Sequence, residues 1–191
     1  MLVHGLFDTA RVFDRLRRHL DGRREPLLIP DLPLRWGSTP IESSAGLLAR
    51  QIEMAFGDRQ PIDILGFSMG GVIARTWIQL LGGHRRTRRF LSLGSPQQGT
   101  LTALPWPGRW LGGIADLKPA SPLLRKLNAD LSPLEEVACS SYYCALDLMV
   151  VPGPRAVLPI GERRPLAVWT HRQLLRHPAA LTPLVEELLR G

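Results

Sequence analysis

Ser68 lies in a glycine-flanked pentapeptide, GFSMG at residues 66–70, which joins a predicted strand to a predicted helix. The preceding residues, 61–65, are apolar and rich in β-branched side chains, as in a buried strand. The following residues, 69–81, place apolar side chains at helical spacing and end at a glycine pair. A serine between such elements occupies a tight, strained turn that projects its hydroxyl from the sheet. The pattern predicts that Ser68 is a nucleophile at a helix N-terminus, which stabilises an oxyanion.

Strands and helices alternate along the rest of the chain. The predicted strands begin at residues 2–3 and continue with 27–29, 61–65, 90–94, 137–146 and 166–169. The predicted helices cover residues 11–20, 43–56 (capped by Ser43 or Ser44), 69–81, 122–131 and 179–190. Alternation predicts an α/β fold with a mostly parallel sheet of about six strands and helices on both faces. We expect residues 1–191 to form a single domain, with a small cap-like irregular segment at about 100–133.

The net charge of +7 comes almost entirely from arginine. Basic clusters of this kind can bind nucleic acid or an anionic lipid surface. Here they are dispersed and lack interleaved aromatic residues, which favours solvated helix ends and loops. We therefore predict no nucleic-acid partner, and we leave a weak contact with a membrane surface open.

The first residues lack the pattern of a signal peptide, and no apolar run approaches the roughly 18 residues of a membrane span. Cys139 and Cys144 lie at an odd offset on one predicted strand, which points them to opposite faces and argues against a disulfide. A cytoplasmic location is the expectation, and export with a leader absent from this sequence stays an alternative.

His171 is the predicted general base. Imidazole suits that task because its pKa lies near neutrality. His171 follows the predicted strand 166–169, at the carboxyl edge of the sheet where active groups collect. The alternative is a histidine in a surface loop. By contrast, His19, His84 and His177 lie in a helical pattern, an arginine-rich loop and a helix start.

Asp147 is the predicted acid that orients His171. It lies between two apolar stretches. Burying a carboxylate there is costly unless a donor such as an imidazole N–H forms a hydrogen bond to it. The weaker candidates are Asp63, Asp116, Asp130 and Glu162, which lie on the strand before Ser68 or in helical and loop stretches.

An oxyanion formed at Ser68 needs two N–H donors. One is the main chain of Met69, next to the nucleophile. The other is predicted to be the main chain of Leu6, in the loop HGLFD at residues 4–8, where Gly5 permits a close approach. A His-Gly pair alone is an ordinary turn, so this assignment depends on the position of the loop ahead of the GFSMG sequence.

Together these segments resemble the α/β-hydrolases, and within them the compact bacterial lipases and esterases. The matching sequences are VHGL at 3–6, GFSMGG at 66–71, LGSPQQGT at 93–100, DLMV at 147–150 and His171. The resemblance spans nearly the whole chain. It implies an α/β-hydrolase fold, a Ser68–His171–Asp147 triad, an acyl-enzyme intermediate and carboxylic-ester substrates, with no metal or cofactor.

Two features depart from the family pattern. Gln97 stands where many members carry histidine, outside the implied triad, and we expect little effect on chemistry. The strand leading into His4 is short because Met1 lies inside it, so either the natural start lies upstream or this strand is trimmed.

The substrate-binding residues are predicted to be Phe7, Trp106 and Trp110. The two tryptophans belong to an apolar stretch, LPWPGRWL at 104–111, which either lines an acyl pocket, touches lipid or packs over the core. A small cap favours an open site and short to medium acyl chains. We predict a carboxylesterase or small lipase acting on a small-molecule ester or lipid. The alternatives are an acyltransferase, a thioesterase, or an inactive module that binds acyl groups or membranes. Oligomeric state and specificity are not predicted.

Overall fold

The computed structural model describes residues 1–190, which form a five-stranded parallel sheet. The strands are β1 (Leu2–Val3), β2 (Ile62–Phe67), β3 (Thr87–Leu93), β4 (Ala138–Tyr143) and β5 (Glu162–Pro165), hydrogen-bonded in that order. Each neighbouring pair is parallel, so all carboxyl ends meet at one edge. The predicted fold class is confirmed, with five strands where about six were expected.

The helices connect these strands. They are α1 (Asp14–Leu20), α2 (Ile41–Phe56), α3 (Met69–Leu80), α4 (Gly112–Asp116), α5 (Pro122–Ala129), α6 (Ser132–Glu135) and α7 (Pro178–Leu189). Short 3-10 helices cover Ala10–Phe13, Arg35–Gly37, Gly83–Arg86, Leu101–Ala103, Gly153–Ala156 and His171–Leu175. Among residues 1–190, no helix has the length and apolar character that crossing a membrane would require.

The sheet separates two apolar clusters because successive side chains of a strand point to opposite faces. Phe90 packs in the cluster beneath α2 and α3, whereas Leu91 packs in the cluster that contains α1 and α7. Burying each such side chain contributes about 1.5–3 kcal/mol. Cys139 and Cys144 fall in different clusters and are both free thiols, in agreement with the expected opposite faces.

The capping prediction for α2 is wrong. The helix begins at Ile41, and neither Ser43 nor Ser44 caps it. Instead, the carboxylate of Asp116 accepts a hydrogen bond of 2.9 Å from the Ile41 N–H. Ser44 Oγ donates to the Pro40 carbonyl within the first turn. A distant acid replaces the local cap, and the local sequence contains no signal for it.

Two predicted strands are also corrected. Residues 27–29 do not form a strand, although the Leu28 carbonyl accepts a bond of 3.0 Å from the Leu2 N–H. Pro26 and Pro30 flank this stretch, and neither supplies a ladder N–H. The last strand is β5, a charged edge strand upstream of the predicted 166–169. Residues 166–169 then run on from the strand end towards His171.

Candidate active site

Ser68 joins β2 to α3 at a strained turn. Its backbone has φ 54° and ψ −130°, in the positive-φ region that costs a non-glycine residue energy. The turn is possible because glycines surround it. A Cβ at Gly66 would lie 2.4 Å from Gly71 Cα, and a Cβ at Gly70 would lie 2.3 Å from the Val3 carbonyl oxygen. The sequence GFSMG therefore lets the serine protrude at the edge of the sheet where β1 ends.

Asp147 follows β4 and is 3% exposed. Its Oδ1 atom accepts hydrogen bonds from the N–H groups of Met149 at 2.8 Å and Val150 at 3.1 Å. Its Oδ2 atom accepts a bond of 2.7 Å from Nδ1 of His171. The carboxylate is thus fixed by its own loop on one side and holds the imidazole on the other.

His171 begins a 3-10 helix after β5 and is 9% exposed. Its ring stacks on Phe67 at a centroid distance of 4.8 Å. Because Nδ1 bonds to a carboxylate, that nitrogen carries the proton and Nε2 keeps its lone pair. Nε2 is buried and has no hydrogen-bond partner among residues 1–190, Ser68 Oγ included. The base is therefore oriented, with its accepting atom available.

Gln173 fixes the backbone that carries His171. Its side-chain oxygen accepts hydrogen bonds from the N–H groups of Trp169 at 2.8 Å and Thr170 at 3.1 Å. This reciprocal cap closes the first turn of the 3-10 helix. Sequence reasoning missed Gln173, although a threonine followed three residues later by glutamine is a recognisable helix-start pattern.

The loop after β1 lies against Ser68. A Cβ at Gly5 would lie only 2.7 Å from Ser68 Cβ, so this position requires glycine. His4 is buried beneath the loop: its Nδ1–H donates to the Gly5 carbonyl at 2.9 Å, and its Nε2 accepts from Leu32 N–H at 3.2 Å. No local pattern in the sequence predicted this role of His4.

The two predicted oxyanion donors lie in one cleft. Leu6 and Met69 both line the cleft that also contains Ser68 and His171. Met69 is the first residue of α3, so its N–H has no acceptor within the helix. The backbone at Phe7 turns sharply, with φ 63°. The loop and the helix start thus approach the nucleophile from two sides.

The cleft has a volume of about 1110 Å³. Phe7 and Trp106 line it, as predicted substrate-binding residues would. Trp110 is absent from the lining; it is 67% exposed and lies beside the Arg109 guanidinium, 5.2 Å from its ring centroid. The structure therefore brings two of the three aromatic candidates to the site.

Gln97 lies outside the cleft lining and is fully buried. Its side-chain amide donates to Ser92 Oγ at 2.9 Å, and its main-chain carbonyl accepts from Arg75 at 3.1 Å. Arg75 is also buried, and desolvation lowers its pKa to about 10. These contacts anchor the loop after β3 to α3, at a distance from the reacting groups.

Asp8 is a further ionisable group in the cleft that sequence reasoning missed. Burial raises the pKa of its carboxyl, and nearby cationic and imidazole groups offset only part of this effect. Its Oδ2 and Ser68 Oγ each lie 3.2 Å from the point where a Gly5 Cβ would stand, so both oxygens border Gly5. Among residues 1–190, no cluster of three His, Cys, Asp or Glu side chains is arranged to hold a metal ion.

Comparisons with known proteins agree with the fold class. The sequence profile of the palmitoyl protein thioesterase family matches residues 2–139, a range that includes Ser68 and ends before Asp147. No curated protein sequence matches significantly.

Three solved structures illustrate the structural similarity. The mature form of a Bacillus licheniformis lipase has 14% identity and a TM-score of 0.77, with 100% of this chain and 91% of that chain covered. An α/β-hydrolase from a lagoon-sediment metagenome has 20% identity and a TM-score of 0.67, with 97% and 88% covered. A Bacillus anthracis bromoperoxidase has 13% identity and a TM-score of 0.70, with 100% and 91% covered. At these identities the similarity shows the fold alone.

Proposed function

Since this chain belongs to the palmitoyl protein thioesterase family, within the α/β-hydrolases, we propose that it is a serine hydrolase of carboxylic esters. One observation carries the proposal. The strained Ser68 shares a cleft with a buried imidazole that is held by Asp147 through Nδ1 and leaves Nε2 free to accept a proton. Nucleophile, base and orienting acid all follow carboxyl ends of parallel strands, where active groups of this fold converge.

In the first half-reaction, His171 Nε2 takes the proton of the Ser68 hydroxyl as Oγ attacks the ester carbonyl. Asp147 keeps the Nδ1–H donor in place and stabilises the imidazolium that results. The carbonyl oxygen becomes an oxyanion, and the main-chain N–H groups of Leu6 and Met69 stabilise it by donating hydrogen bonds. The free N–H groups at the start of α3 add favourable electrostatics.

The tetrahedral intermediate then collapses. The bond between the acyl carbon and the leaving oxygen breaks, and the imidazolium gives its proton to the departing alcohol. Water enters, loses a proton to His171 and attacks the acyl-Ser68 ester, which releases the carboxylic acid and restores the serine hydroxyl.

The acyl group is proposed to lie along the apolar part of the cleft, against Phe7 and Trp106. The volume of about 1110 Å³ lies just above the usual range of ligand sites, about 300–1,000 Å³. We retain short to medium acyl chains in small-molecule esters or lipids as the preferred substrates. Trp110 lies outside the lining and receives no role in acyl binding.

Hydrolysis of thioesters is the second candidate, and the family match favours it. The same nucleophile, base and oxyanion donors serve both reactions. A thiol leaving group is more acidic than an alcohol, so it depends less on protonation by His171. The two activities therefore differ in the leaving-group step and share the acyl-enzyme.

The test is hydrolysis of p-nitrophenyl esters from acetyl to palmitoyl by the wild type, Ser68→Ala and His171→Ala. We expect turnover in the wild type, an optimum at short to medium chains, and its loss in both variants. O-Decanoyl N-acetylethanolamine and S-decanoyl N-acetylcysteamine, which differ only in the leaving atom, then separate esterase from thioesterase. A folded wild type that neither turns over an ester or thioester nor reacts with a fluorophosphonate would overturn the proposal in favour of a binding module.

A further inference from the structure

The cleft around Ser68 has two chemically distinct walls. The apolar wall comes from residues 101–117 and 148–150, together with Trp36. Contacts join these segments: the Leu101 N–H donates to the Val151 carbonyl at 3.0 Å, and the Thr102 hydroxyl donates to the Met149 carbonyl at 2.7 Å. No charged side chain of these segments lines the cleft.

The other wall is basic and lies on the other face of the sheet. Ala103, Ile114 and Leu117 of the apolar wall pack in the cluster beneath α2 and α3, whereas the neighbours of the basic residues, Phe13, Leu174 and Leu175, pack in the cluster of α1 and α7. Arg11 comes from the 3-10 helix before α1, and Arg172 and Arg176 come from the segment that begins with His171. The Arg15 guanidinium donates to the Arg176 carbonyl at 3.1 Å, which ties the two segments together. We call Arg11, Arg172 and Arg176 the arginine wall.

Among residues 1–190, none of the three guanidinium groups of the arginine wall forms a salt bridge with a carboxylate. Other arginines of the chain behave differently. Arg24, Arg88 and Arg89 converge on Asp63, at the far end of β2 from Ser68. The basic charge beside the active site therefore remains uncompensated by a direct partner.

Asp8 is the one carboxylate in the lining of the cleft among the described residues. It cannot balance three arginines even when it is ionised, and its partial burial disfavours ionisation. The cleft thus presents a net positive charge on one side of Ser68 and apolar surface on the other. The two walls offer surfaces of different chemistry to the two ends of a substrate, an apolar one for the acyl chain and a basic one for the leaving group.

We infer that the arginine wall binds a phosphate on the leaving group, so that the preferred substrates are acyl esters or thioesters of phosphate-bearing alcohols or thiols. This inference rests on the proposed function. The planar guanidinium fork matches phosphate oxygens with paired, charge-assisted hydrogen bonds. Several such groups together suit an anion that carries more than one negative charge. Only the acyl–oxygen or acyl–sulfur bond breaks, the leaving atom takes a proton from His171, and the phosphate is unchanged.

Two sources could supply this chemistry, a phospholipid headgroup and a soluble phosphate-bearing thiol carrier. Two substrate pairs represent them, each with the same decanoyl chain and monomeric in solution. Decanoyl-coenzyme A is compared with S-decanoyl N-acetylcysteamine, and 1-decanoyl lysophosphatidic acid is compared with 1-decanoylglycerol. The measured quantity is the ratio of kcat/KM for the phosphate-bearing substrate to kcat/KM for its neutral partner.

The variant R11Q/R176Q removes two charges from the arginine wall and spares Arg172, the neighbour of His171. The variant R17Q/R18Q removes the same charge from α1, outside the cleft lining. We expect R11Q/R176Q to lower the ratio about tenfold or more, mainly through KM, as the loss of charge-assisted hydrogen bonds requires. We expect R17Q/R18Q to leave the ratio within about twofold, because screened surface charges have small effects.

If R11Q/R176Q lowers the kcat/KM ratio of the thioester pair, the phosphate belongs to a thiol carrier. If it lowers the ratio of the glycerol pair, the phosphate belongs to a phospholipid. The inference is overturned when the wild-type ratio is near unity in both pairs, or when the two double variants lower it equally. Hydrolysis of p-nitrophenyl decanoate separates this failure from failure of the proposed function. An active enzyme without phosphate preference contradicts only the inference, whereas a folded protein inactive on every neutral and phosphate-bearing substrate contradicts both.

Discussion

The Nδ1 atom of His171 lies 2.7 Å from Oδ2 of Asp147, and the opposite ring nitrogen has no partner among residues 1–190. This one contact fixes both the tautomer and the direction of the imidazole. The second carboxylate oxygen of Asp147 is held by two main-chain N–H groups, so the acid is rigid before any substrate arrives.

Asp147→Asn should therefore leave the fold intact and remove most of the activity. The amide oxygen can still accept from Met149 and Val150, but the amide nitrogen then faces Nδ1 and favours the wrong tautomer. Loss of kcat by about 10⁴ is expected from this mechanism. The measurement is kcat on p-nitrophenyl decanoate, with circular dichroism as the check on folding. Asp58→Asn, at an exposed site far from the cleft lining, should keep wild-type kcat.

Gly5→Ala should reduce activity because its Cβ would stand 2.7 Å from Ser68 Cβ, which forces the loop and the Leu6 N–H away from the oxyanion. Loss of one such donor lowers kcat by about 10²–10³. Gly46→Ala is the matched control, since a Cβ there meets nothing within 4 Å. It lies inside α2 and should stabilise the protein by about 0.5–1 kcal/mol with unchanged kcat. Equal kcat for the two variants would contradict the proposed donor.

Asp8 should make stability depend on pH. Burial raises the pKa of this carboxyl in the folded state, so the folded state favours its protonated form. That contribution is fully present below the unfolded pKa and is lost as pH rises through the folded pKa. The wild type therefore loses this contribution as the pH rises, whereas Asp8→Asn does not titrate at this position. The free energy of unfolding of Asp8→Asn, relative to that of the wild type, should increase from acidic to neutral pH.

The measurement for Asp8 is the urea midpoint of both proteins across that pH range. Asp58→Asn, which is exposed, should follow the wild type at every pH. A difference between Asp8→Asn and the wild type that is constant or shrinks towards neutral pH would contradict the burial argument.

Asp116→Ala should destabilise the protein through α2. The variant removes the acceptor of the Ile41 N–H, and loss of a helix cap costs about 0.5–2 kcal/mol. Ser43→Ala tests the local alternative and should change the free energy of unfolding by less than about 0.5 kcal/mol. Urea unfolding of the two variants measures both effects. A larger decrease in the free energy of unfolding in Ser43→Ala than in Asp116→Ala would support the local serine cap instead.

Local patterns predicted much of the fold because the signals lie within single elements. The helical spacing after Ser68 predicted α3 to within one residue of its observed end, and the apolar run before it predicted β2. The position of His171 after the last strand was useful even though that strand lies upstream of the predicted stretch. The edge strand β5 consists mostly of charged residues, so a search for apolar patterns does not detect it.

Long-range partners could not be predicted in this way. The bond from Ile41 to Asp116 and the packing of His4 beneath Gly5 join parts of the chain with no common local pattern. The same holds for the cleft, where Arg11 meets Arg172 and Arg176 only after folding. A basic cluster read along the sequence gives no indication of which arginines line the cleft.

The most direct test of the serine mechanism is the site of acylation. The wild type is mixed with p-nitrophenyl decanoate, quenched in acid during turnover, digested and analysed by mass spectrometry. We expect a decanoyl group on the peptide that contains Ser68, and no such group in Ser68→Ala. Turnover by the wild type with acylation at another residue, or turnover that persists in Ser68→Ala, would contradict it.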